Sequence, residues 1–261
     1  MKVGISTATL FGRLYNEDAL PLLNEWNVTT AEVFLTSFSE YEPSFAQTLL
    51  HRKGAIEAYS VHVLNTQFEP QLYSDHPRVK ADAFSWLEKT MRSAAILGAE
   101  HYTFHGPARI KRTYKEDIPR IGKLTQEIFG YCKKFGVTLC CENVEWAFVN
   151  RTGIFSELVK YCPSLSGVLD IKQARISGYD YRDYLSEMGS RISHVHVSDI
   201  TDAGKMCLPG RGTFDFGELF SRLSDVGFDG PVLIENYAKD YKELKELKDS
   251  LEFLSDKAEK F

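Results

Sequence analysis

Short apolar runs alternate with longer amphipathic stretches along the whole of this chain. Runs of four to six residues, rich in β-branched and aromatic side chains, fall at 3–6, 31–35, 59–64, 101–105, 138–142, 167–170, 192–197 and 232–235, and read as strands. Two of the intervening stretches have strong helical spacing. Residues 77–97 open on a proline in the first turn, carry Ala83, Trp86, Leu87, Met91, Ala94 and Ala95, and stop at Gly98. Residues 115–135 place Ile121, Leu124, Ile128 and Tyr131 on one face and stop at Gly136. Weaker helical patterns cover 19–26, 45–53, 155–161, 181–188, 216–226 and 241–254. A strand followed by a helix, eight times over, predicts an α/β fold with a parallel sheet. The reading favoured is a single (β/α)8 barrel, a TIM barrel, spanning residues 1–261, with an open doubly wound sheet as the alternative. No low-complexity tract or linker-like shift in composition divides the chain.

Composition narrows the class of partner. A hydrophobic share of 43% supplies a sizeable core, and a net charge of −5 gives no electrostatic reason to expect nucleic acid or an anionic membrane. No apolar run approaches the roughly 20 residues that a membrane span needs. The five cysteines (Cys132, Cys140, Cys141, Cys162 and Cys207) show no paired spacing, and the N-terminus lacks a secretory leader. Both features imply reduced thiols and a cytoplasmic location, with Cys140 and Cys141 as small buried hydrophobes rather than zinc ligands. The sequence leaves open whether the chain forms a homo-oligomer.

The chemistry sits at strand ends. Glu142 closes TLCCE, Asp170 closes SGVLD, His196 lies near the end of ISHVHV, and Glu235 closes PVLIE. Strand side chains alternate between faces. With these four inward, Cys140, Val168, His194 and Leu233 form the layer beneath, and the apolar Cys141, Leu169, Val195 and Ile234 face the helices. Two glutamates, an aspartate and a histidine form a mostly hard donor set suited to one divalent ion such as Mn²⁺, Mg²⁺, Co²⁺ or Zn²⁺. Only a closed barrel brings residues so distant in sequence together, so fold and function are one hypothesis. His62 and His105 end the third and fourth strands, with Ser60 and Thr103 one layer below, and are candidates for further ligands or for donors to substrate hydroxyls. His194 reads as structural, and His51, His76 and His101 as helix or loop residues without a signal. Arg211, in the turn LPGRGTFDF, is a fork donor for an anionic or hydroxylated substrate end, or else a partner of Asp215. Phosphate-loop, dinucleotide and nucleophile-elbow signatures are absent.

The residues TAEVFL with Glu32, SVHVLN, FHGP, CCENVEW, VLDIKQARISGYD, HVHVSDI, LPGRGTFDF and LIENY run in the order found in the xylose-isomerase-like TIM barrels, which this chain resembles over nearly its whole length. That superfamily holds sugar (phosphate) isomerases and epimerases together with endonuclease IV-type nucleases. In the epimerases, the positions matching Glu142, Asp170, His196 and Glu235 hold one catalytic metal, and the two glutamates exchange protons with the substrate carbon. In the nucleases a three-zinc cluster includes histidines matching His62 and His105. Gln173 stands where both branches usually have histidine, Phe148 where some ketose epimerases have a second glutamate, and Lys205, Met206 and Cys207 where the nucleases have further ligands.

The resemblance therefore implies a divalent-metal-dependent isomerase or epimerase of a small sugar, sugar phosphate or polyol-derived ketone. Glu142 and Glu235 would transfer protons through a metal-stabilised enediolate, and His62, His105, Gln173 and Arg211 would contact the carbohydrate substrate. The alternatives are a metal-dependent phosphodiesterase or abasic-site endonuclease, and a non-catalytic sugar-binding barrel.

Overall fold

The computed structural model describes residues 1–64, 67–108 and 117–261. Its main sheet has eight parallel strands: β1 (Val3–Ser6), β2 (Thr30–Leu35), β3 (Glu57–Val63), β4 (His101–Phe104), β5 (Thr138–Glu142), β6 (Ser166–Asp170), β7 (Ile192–Val197) and β10 (Val232–Ile234). They close into a barrel in the order β1, β10, β7, β6, β5, β4, β3, β2. The ring closes where β1 pairs with β10 on one side, Ile5 opposite Ile234, and with β2 on the other, Ser6 opposite Glu32. All eight expected strands are present, within about two residues of the predicted bounds. The closed ring excludes the doubly wound sheet.

The outer helices are α1 (Asn16–Glu25), α2 (Pro43–Arg52), α3 (Pro77–Leu97), α4 (Ile118–Lys133), α5 (Ile154–Val159), α6 (Ile171–Ile176), α7 (Tyr181–Met188), α8 (Phe216–Asp225) and α9 (Leu244–Ala258). The helix expected from residue 115 is described from Ile118, with Asp117 accepting from Arg120 N as its cap; residues 115 and 116 lie outside the described residues. The sequence reading missed α6. It is six residues long and begins directly on Asp170, too short to show a helical period. His101, grouped with the helix or loop histidines although the strand predicted at 101–105 begins on it, opens β4 and stacks on Tyr59 with ring centroids 4.3 Å apart.

The apolar core lies between sheet and helices, where Cys141, Leu169, Val195 and Ile234 all join it. All five cysteines are free and buried. Among the described residues no helix is long and apolar enough to cross a membrane.

Just beyond β7, β8 (Asp199–Ile200) pairs antiparallel with β9 (Met206–Cys207). Asp199 organises the loop beyond this ribbon. Its Oδ1 accepts from Ile200 N at 2.7 Å and Phe214 N at 2.9 Å, and its Oδ2 from Gly210 N at 3.0 Å and Gly212 N at 2.9 Å. A Cβ on Gly212 would lie 2.2 Å from Ile200 O, so only glycine lets this loop fold back on its own strand.

Candidate metal centre at the barrel mouth

Parallel barrels gather the ends of their strands on one face, and here that face draws the acids and imidazoles together. Glu142 and Asp170 end β5 and β6, and His196 is the penultimate residue of β7. Glu235 stands one residue past β10, held in the ladder by its N–H donating to Val197 O at 2.9 Å. Asn143 locks β5 to β6 beyond their last ladder bonds, donating to Asp170 O and accepting from Asp170 N, both at 2.8 Å. One oxygen of Asp170 is committed to capping α6 through Gln173 N at 2.8 Å, which leaves Oδ2 for the residues gathered at the mouth.

One ligand atom each from Glu142, Asp170, His196 and Glu235 lies within 4.8 Å of the others. His196 Nδ1 is 2.9 Å from Glu142 Oε1 and 3.1 Å from Glu235 Oε2. Two of the four residues carry a buried carboxylate oxygen with no hydrogen-bond partner among the described residues, Asp170 Oδ2 and Glu235 Oε2. Buried polar atoms are rarely left without partners. A dication among three carboxylates and an imidazole would resolve this shortage, so the donor set fits a divalent metal.

His62 and His105 join the cluster. Their Nε2 atoms are 3.0 Å apart, and His105 Nε2 is 3.0 Å from Glu142 Oε2. Behind His105, Glu69 accepts from His105 N at 3.1 Å and from Tyr102 OH at 2.6 Å. Among the described residues, neither Gln173 nor Arg211 has a side-chain hydrogen bond or ion pair to the four. Gln173 Oε1 accepts from Glu145 N at 3.3 Å. Arg211 corrects the reading from sequence: it pairs with Asp249 of α9 at 3.2 Å, half exposed, while Asp215 caps α8 through Glu218 N. The turn LPGRG carries the arginine outward over α9 and away from the acids.

Two residues were given no role by the sequence reading. Glu32, fully buried in β2, is the hub of the layer below. Ser6, Ser60 and Thr103 donate to its carboxylate at 2.9, 2.8 and 2.5 Å, and nitrogens of His62, His194 and His196 lie within 3.1–3.2 Å. A glutamate inside the otherwise apolar run TAEVFL was the available signal. Lys172, buried in the first turn of α6, puts Nζ 3.6 Å from Asp170 Oδ2 and 3.5 Å from Glu235 Oε1. Nothing in DIKQAR announces that a lysine there turns inward.

The electrostatics follow from burial and neighbours. Burial raises the pKa of Asp170 and, with repulsion from Glu142 and Glu235, outweighs the attraction of Lys172 to bring it to about 7. Burial opposes the charge of Lys172, but Asp170 and Glu235 overcome it and lift its pKa above the usual lysine range. Lys172 is therefore the constant charge of this pair, and Asp170 its titrating member. Burial also opposes charge on His105, yet its bonds to Glu142 and Glu69 hold its pKa at about 10. His194 is depressed chiefly by burial, in keeping with a structural role.

Beside Lys172 and Ser198 opens a cavity of about 570 Å³, walled also by Tyr179, Phe214 and the β8–β9 ribbon. A small-ligand site has this size.

A family model described as a xylose isomerase-like TIM barrel matches residues 20–257. The chain belongs to this family. An uncharacterised protein of Methanocaldococcus jannaschii is 31% identical to it over 98% of this chain and 92% of its own length. Among solved structures, this member of the family superposes on a D-psicose 3-epimerase with D-tagatose from Clostridium cellulolyticum H10 (TM-score 0.80, 17% identity, 100% and 99% of the two chains). It also superposes on the IolI protein with a zinc atom (TM-score 0.77, 17% identity, 100% and 99%). At such identities the likeness shows the shared barrel.

Proposed function

We propose that this protein is a divalent-metal-dependent isomerase or epimerase of a small sugar, sugar phosphate or polyol-derived ketone. The observation that carries the reading is that Glu142 and Glu235 converge, with Asp170 and His196, on one space small enough for a single ion. The sugar epimerases that share this barrel, the D-psicose 3-epimerase above among them, support the same class.

A dication held by Glu142, Asp170, His196 and Glu235 would supply the positive charge that makes a carbon beside a carbonyl acidic. The remaining work belongs to the side chains. Glu235 Oε2, buried without a hydrogen bond, is free to take the proton. Glu142 is steadied by His105 Nε2 at 3.0 Å and His196 Nδ1 at 2.9 Å, which fixes it to deliver a proton to the opposite face or the neighbouring carbon. Roles reverse in the other direction. His62 and His105 present nitrogens to substrate oxygens, and the cavity beside Lys172 takes the rest of the substrate. Mn²⁺ is the ion we would supply first, since oxygen-rich sets with one imidazole suit it.

The test is uptake of solvent deuterium by a panel of keto sugars, their phosphates and inosose-type polyols, with Mn²⁺ added. Glu142→Gln and Glu235→Gln should each stay folded and lose exchange by about 10²-fold or more. Wild-type exchange in either variant would end the two-base scheme.

One observation favours a second reading, a metal-dependent phosphodiester hydrolase: His62, His105 and Glu142 form a further group with metal-ligand spacing. Chelator-sensitive cleavage of an abasic-site duplex at sub-stoichiometric protein would establish it.

A further inference from the structure

The three carboxylates at the mouth would repel one another strongly without a counter-charge. His196 and His105 flank Glu142, but Asp170 and Glu235 turn toward one ammonium. Lys172 Nζ is 3.6 Å from Asp170 Oδ2 and 3.5 Å from Glu235 Oε1, and it donates to Glu235 O at 3.3 Å. Its side chain is 1% exposed. Among the described residues no other lysine or arginine is ion-paired with any of the four candidate ligands.

We propose that Lys172 competes with the divalent ion for Asp170 and Glu235, serving as the internal counter-ion of the metal-free site. This rests on the metal-dependent reading above. An ion that coordinates these two carboxylates comes within about 2.0–2.6 Å of their oxygens, beside an ammonium already lying 3.5 Å from one of them. The two cations repel, so each weakens the hold of the other. The lysine has somewhere to go. Its side chain forms part of the wall of the 570 Å³ cavity and lies 4.7 Å from the centre of the Tyr237 ring, so metal binding would turn the ammonium toward the space where substrate sits. Lys172 thus lowers metal affinity and steadies the two carboxylates whenever no metal is bound.

The experiment compares wild type, Lys172→Met and Lys172→Arg after removal of metal by chelator and dialysis. Mn²⁺ affinity is measured by titration calorimetry, and melting temperature with and without Mn²⁺. Lys172→Met should bind Mn²⁺ at least ten-fold more tightly, melt lower when metal-free and gain more from Mn²⁺ than wild type does. Lys172→Arg, which keeps the charge, should stay near wild type. Equal or weaker binding by Lys172→Met overturns the proposal. If that variant folds only in the presence of Mn²⁺, the ion is replacing the lysine and the proposal stands. If it is insoluble in both conditions, Lys172→Gln takes the same measurements and the same criteria. Should wild type and every variant fail to bind Mn²⁺, the metal reading itself falls; should wild type bind and the neutral variant bind no better, only the competition falls.

Discussion

Asp199 offers the sharpest test of how the barrel mouth is built. Its carboxylate accepts four main-chain N–H groups, from Ile200, Gly210, Gly212 and Phe214, and so ties residues 210–214 to the start of β8. Asp199→Asn preserves shape but leaves one oxygen, and it turns an amide N–H₂ toward two of those donors. Each unsatisfied buried N–H costs about 1–3 kcal/mol, and these are only partly shielded from water, so the low end applies and the loss is about 2–4 kcal/mol. For a chain of this size each kcal/mol moves the melting temperature by roughly 2–4 °C, which predicts a fall of about 4–16 °C. The loss should be local. Hydrogen exchange followed by mass spectrometry would show faster exchange in residues 210–214, and a weaker grip on substrate is expected because Phe214 and Thr213 wall the cavity. A melting temperature within 2 °C of wild type, with unchanged protection across this loop, would refute the reasoning.

The same geometry fixes three further outcomes. Glu32→Gln should weaken Mn²⁺ binding by about 10-fold or more, because coordination through His196 Nδ1 leaves the Nε2 proton facing Glu32 Oε1, 3.1 Å away, as its nearest acceptor; calorimetry showing affinity within two-fold of wild type would remove Glu32 from that role. Burial, helped by the charge of His194, lowers the pKa of His101 from 6.5 to about 4. The unfolded chain therefore takes up a proton between those values that the folded protein refuses, so stability falls as pH drops through this window, by about 3 kcal/mol at most. Urea titrations at pH 7.5 and 4.5 should show a smaller acid loss for His101→Gln than for wild type. Gly212→Ala places a Cβ 2.2 Å from Ile200 O and 2.4 Å from Asp199 Oδ1, and should destabilise at least as much as Asp199→Asn in the same melting assay.

Local pattern carried both the architecture and the identity of the charged strand ends. Period-two and helical spacing are short-range properties, and eight repeats of them leave few topologies other than a closed parallel ring. Glu142, Asp170, His196 and Glu235 were legible because each interrupts or ends an apolar run, a position with no cheap explanation in a core. Which other polar groups share their space was settled by folding. Lys172 turns inward because Asp170 caps α6 and aims its first turn at Glu235, a partner 63 residues away. Arg211 turns outward because the glycines beside it bend the loop toward α9. Glu32 holds residues of β1, β3, β4 and β7 only because the ring closes around it. Spacing along a chain encodes which face a residue occupies, whereas the partner it meets across a barrel depends on strand order and register, and those exist only once the sheet has closed.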